Sequence, residues 1–147
     1  MHTRRRSVAL TAFCCGVMIA LPFASAARAD DTPSPCDALK RIVAASPKFS
    51  SLTAIDGRPV ALSYGDDAQC AASQMNYRCT WTPHGGSSAD ALQGVAADIA
   101  ACLPDATHDQ NSPARQHFVI GPRGSRTEIA ASQAGANKLR LEIYATR

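Results

Sequence analysis

The sequence predicts an α+β fold. Two helices pack on one face of an antiparallel sheet of about six strands, in the order α-β-β-β-α-β-β-β, tied by two disulfides. Three observations carry this reading. Leu92, Val95, Ala96, Ile99, Cys102 and Leu103 recur at helical spacing and form the clearest apolar stripe in the chain. Leu139, Leu141 and Ile143 alternate with Lys138, Arg140, Glu142 and Tyr144, the two-residue period of a half-buried strand. Four cysteines follow an N-terminal segment built for export: Cys36, Cys70, Cys79 and Cys102.

That segment is residues 1–29. Arg4, Arg5 and Arg6 make a positive start, Val8 to Pro22 is an apolar run, and Ala27-Arg28-Ala29 is a small-residue cleavage triplet. The expected destination is the periplasm or the exterior, after cleavage near Ala29. Residues 30–35 then read as a flexible lead and 36–147 as one disulfide-stapled domain. The segment also changes the charge. Of 15 Lys+Arg, four leave with it, so 11 remain against 12 Asp+Glu. A nearly neutral domain carries no electrostatic footprint for nucleic acid. No later apolar run approaches the ~20 residues of a membrane span.

The elements follow in order. Ser34-Pro35-Cys36-Asp37 is a helix start, with Ser as N-cap, Pro at the first helical position and Asp two residues on. That helix is expected to run to about Ser46, stopped by Pro47, with Cys36, Leu39 and Val43 on one face. Phe49 to Gly57 crosses as a loop anchored by Phe49, Leu52 and Ile55. Val60 to Tyr64 alternates like a strand and Gly65-Asp66-Asp67 reads as a turn. Cys70 to Gln74 and Tyr77 to Thr82 form a hairpin, with Tyr77, Cys79 and Trp81 on one side. Ser87-Ser88-Ala89-Asp90 caps the second helix, which ends near Cys102. Asp105 to Arg115 reads as a polar loop. Three strands close the chain: Gln116–Ile120, Arg126–Ser132 and Lys138–Thr146, separated by Gly-containing turns.

Cysteine pairing follows from these elements. Cys70 and Cys79 are equidistant from the hairpin turn and face each other across it. Cys36 begins one helix and Cys102 ends the other, so antiparallel packing brings them together. The spacings contain no C-x-x-C, which argues against zinc or a redox motif.

No side-chain pattern outweighs its structural explanation. His84, His108 and His117 lack metal-ligand spacing, so no metal and no cofactor is expected. Asp66-Asp67 and Asp105…Asp109 suit turns better than calcium loops. The best surface candidates are Arg126, Lys138, Arg140 and Tyr144, since Arg and Tyr are favoured at binding hot spots. The expected function is a non-catalytic binding module, an inhibitor or envelope accessory protein, whose partner is another envelope or extracellular protein. The alternative is a small exported hydrolase that uses His84 and His117 as acid and base.

Overall fold

The computed structural model describes residues 34–53, 60–62 and 64–146. The export segment, its cleavage triplet, Asp30 to Pro33 of the lead and the loop anchor Ile55 lie outside the described residues. The elements are α1 (Pro35–Ala44), a 3-10 turn (Phe49–Leu52), β1 (Gly65–Ala72), β2 (Asn76–Pro83), α2 (Ser88–Cys102), β3 (Thr107–Ser112), β4 (Arg115–Ile120), β5 (Arg126–Gln133) and β6 (Leu139–Thr146). All belong to the unit Thr32–Arg147. The fold is α+β, with two helices and one six-stranded antiparallel sheet in the order β1-β2-β6-β5-β4-β3.

Both helices start as their sequences dictate. The Asp37 amide donates to Ser34 Oγ and the Asp90 amide to Ser87 Oγ, each at 3.1 Å, which satisfies donors that a bare helix start leaves open. On α2, Leu92, Val95, Ala96 and Ile99 are buried, as the stripe requires. On α1 the buried set is Ala38, Leu39 and Ile42. Val43 is only partly covered, so the apolar face is rotated from the expected one. Helix α1 ends at Ala44, before Pro47 rather than at Ser46.

The sheet supplies the other wall of the core. Tyr77, Cys79 and Trp81 of β2, Phe118 of β4, Ile129 of β5, and Leu139, Leu141 and Ile143 of β6 all point to the helix side and are sealed from water. Both disulfides form as the cysteine spacing predicts. Cys36 and Cys102 join the start of α1 to the end of α2, with Cα atoms 5.5 Å apart. Cys70 and Cys79 sit directly opposite in the β1–β2 ladder, 4.0 Å apart.

Three expectations fail, and the strand order changes with them. Residues 60–62 are not a strand. Leu62 is fully buried and Val60 is partly so, but the segment is held by the Val60 amide on the Leu52 carbonyl and by the Tyr77 hydroxyl donating to the Val60 carbonyl. Core burial, not a ladder, produces the alternation there. The strand begins instead at Gly65, where a Cβ would lie 2.2 Å from the Thr82 carbonyl oxygen. The Asp66-Asp67 signal is a bulge inside β1, with Asp67 at φ 52°, rather than a turn.

The expected loop 105–115 contains β3, an edge strand of Thr-His-Asp-Gln-Asn-Ser with a register shift between His108 and Gln110. It has no buried face, so no alternation betrays it. Two strands therefore precede α2 and four follow it, in place of three and three.

Candidate functional site

One face of the sheet meets the helices; the other has no element over it among the described residues. Strand registers arrange that open face in rows. Thr80, Arg140, Ser132 and Arg115 align across β2, β6, β5 and β4. The next row is Arg78, Glu142, Ala130 and His117, and the next is Asn76, Tyr144, Glu128 and Val119. Arg126 lies opposite Thr146 at the end of the sheet. Of the sequence-chosen surface residues, Arg126, Arg140 and Tyr144 share this face. Lys138 is exposed in the turn before β6 and is not in the rows.

The acids of this face are occupied internally. Glu142 accepts from Arg78 Nε at 2.7 Å. His117 stands between two carboxylates: Nδ1 lies 2.6 Å from Asp109 and Nε2 lies 3.2 Å from Glu128. Its side chain is only 13 % exposed. Glu128 also accepts from Thr146 Oγ1. The Tyr144 hydroxyl beside it, more than the His117 ring and Thr146, holds the Glu128 carboxyl below its ordinary range against the opposing effect of burial. Burial first, and then Glu128, pushes the Tyr144 hydroxyl up to about 12.

Three cations remain. Among the described residues Arg115, Arg126 and Arg140 form no ion pair, and the Nε atoms of Arg126 and Arg140 are covered without an acceptor. A covered Nε places the base of the guanidinium against the protein and leaves a donor unspent.

The three histidines separate. His84 pairs with Asp66 at 3.1 Å, both largely exposed, beyond the β1–β2 end of the sheet. His117 is on β4, three strand spacings from β2, or about 14 Å across the sheet. The fold does not bring His84 and His117 together. Both His117 ring nitrogens lie within hydrogen-bond distance of carboxylates of its own sheet. His108 is on the other face, stacked on Phe118 with ring centroids 4.1 Å apart. Gln116 Nε2 donates to Asn111 Oδ1 and to the Ser112 carbonyl, so Gln116 Oε1 is the acceptor for His108 Nε2 at 2.8 Å. His108 is a satisfied structural residue. Among the described residues no three His, Cys, Asp or Glu side chains converge as a metal site.

The sequence reading missed Glu128 and Arg115, and took Asp109 for a turn residue. Alternation of Arg126, Glu128 and Ala130 on β5 carries a signal for Glu128. Asp109 sits in a bulge, where no period points to it. The chain matches no family model, no curated protein and no solved structure.

Proposed function

We propose that this chain is an exported, non-catalytic binding module that engages an acidic surface of another envelope or extracellular protein through its open sheet face. The observation behind this is the surplus of Arg side chains without an ion-pair partner among the described residues. The face spends its carboxylates on His117, Arg78 and Tyr144, and leaves Arg140, Arg126 and Arg115 for an outside acceptor. Arg and Tyr at such positions are the residue types that concentrate binding energy. The sheet edges favour the face over strand addition. β1 and β3 each carry a bulge and exposed polar residues, devices that discourage edge pairing. The two disulfides fit an oxidising compartment. No helix among the described residues is long and apolar enough to cross a membrane.

The test is capture from envelope extract by the disulfide-bonded protein. Arg140→Ala with Tyr144→Ala should weaken capture by ~1–2 kcal/mol per residue while the fold persists. His84→Ala should change nothing. The captured protein should be acidic where it is cross-linked, and the exported protein should begin at Asp30. Undiminished capture by the Arg140/Tyr144 variant, or a hydrolytic activity lost in His84→Ala, would overturn the reading.

A further inference from the structure

At the end of the sheet, away from the Arg140 row, lies a pocket of about 540 Å³. Its size falls within the range of ~300–1,000 Å³ typical of small-molecule sites. Four chain segments build it: the stretch after α1, the β1–β2 turn, the turn into β5, and the facing end of β6. Their chemistry is divided. Pro47, Met75 and Ala145 give apolar wall, and Lys48 and Arg126 are its charged residues. Among the described residues no carboxylate lines it, and neither cation has an ion-pair partner.

Two further observations point to a ligand. Arg126 Nε is covered without an acceptor, so the pocket wall carries unspent donor capacity. Met75 is the exposed large hydrophobic side chain among the described residues, at 47 %, and it stands on the hairpin turn that borders the pocket. An unbranched thioether is the side chain best able to mould itself over an apolar body of variable shape. Thr127 Oγ1 donates to Ser46 Oγ at 2.8 Å, tying β5 to the segment after α1.

We infer that this pocket binds a small amphiphilic carboxylate, with its anionic head held by Lys48 and Arg126 and its apolar body against Pro47, Ala145 and Met75. The division of the wall excludes simpler ligands on physical grounds. A bare anion leaves the apolar wall wet. An apolar molecule leaves two cations facing it, and an organic cation is repelled.

Octanoate is the probe, titrated into the disulfide-bonded protein and followed by the Met75 methyl resonance. The shift should saturate. Octylamine should give no saturable shift, and inorganic phosphate should bind at least tenfold more weakly than octanoate. Lys48→Gln and Arg126→Gln should each weaken octanoate about tenfold, whereas Lys40→Gln, on the exposed side of α1, should not. Ala145→Phe should fill the pocket and abolish the shift. If that variant fails to fold, Lys48→Gln still decides, because Lys48 is exposed and has no ion-pair partner among the described residues. A non-saturating shift, equal binding of octylamine, or wild-type affinity in both cation variants would overturn the inference. Arg126 borders both the pocket and the open face, so Lys48→Gln, which lies outside that face, separates the two readings: it should weaken octanoate and leave partner capture unchanged.

Discussion

On the helix side of β6, Leu139, Leu141 and Ile143 are sealed from water; on the other side of the same strand, Arg140, Glu142 and Tyr144 stay partly wet. The two faces are built from the same backbone and the same registers, yet they are held by different physics. The helix side removes apolar surface from water, a gain that adds up residue by residue and depends little on direction. The open side trades directional contacts among charged groups in a screened environment, where each pair contributes little to stability. The difference teaches where stability is stored. A face that contributes little to folding is free to carry groups chosen for a partner.

Adjacent residues on β6 make the sharpest test of that division. Leu141→Ala removes a fully buried side chain from the central strands and should cost ~2–5 kcal/mol in denaturant unfolding. Arg140→Ala, one residue earlier, should shift stability by no more than ~0.5 kcal/mol, as surface substitutions usually do. Equal destabilisation by the two would mean that the open face is structural, and would break the comparison.

The disulfides extend it to the way each half of the fold is fastened. Cys36–Cys102 closes a separation of 66 residues and ties the two helices; Cys70–Cys79 closes 9 within one hairpin. On chain entropy, replacing Cys36 and Cys102 together by Ala should cost ~4 kcal/mol, against ~2–3 kcal/mol for the Cys70/Cys79 pair. Using paired replacements avoids leaving a free thiol. The reverse order would show that the hairpin staple constrains more than its own loop.

The two faces were unequally legible in the sequence. The helix side announced itself, because burial imposes periods of 3.6 and 2 that survive in a single chain: the α2 stripe and the Leu139-Leu141-Ile143 alternation are local patterns. Helix starts were legible for the same reason, since Ser34 and Ser87 cap amides three residues away. β3 was not, because an edge strand with no buried face owes nothing to alternation. Val60 to Leu62 misled in the opposite sense, with burial but no ladder. The His117 cluster was invisible because its carboxylates come from β3 and β5, and only the registers bring Asp109 and Glu128 to one ring. The free Arg residues could be named, but that they are free could not, since that depends on which acids the fold has already used.

The smallest effect is expected within the open face itself, at Glu128. Its carboxyl titrates below the ordinary 4.5 because the folded state surrounds the charged form with the Tyr144 hydroxyl, His117 and Thr146. A carboxylate whose folded value is depressed stabilises the fold above its unfolded value, and that contribution disappears as pH falls through the folded value. Glu128→Gln should therefore be less stable than the parent at neutral pH. The gap should narrow as pH falls below the ordinary carboxylate range and close once pH is below the depressed folded value, where the parent carboxyl is protonated as well. The side chain is 22 % exposed, so added salt should shrink the gap throughout. The same substitution removes the carboxylate that raises the Tyr144 hydroxyl, so the phenol absorbance titration should move down from about 12 without reaching its ordinary value, because burial remains the larger cause. Parallel unfolding measurements at pH 3 and pH 7 check the first expectation and alkaline ultraviolet titration the second. A gap of equal size at both pH values would mean that Glu128 acts by shape and packing, and that the open face holds together as the helix side does.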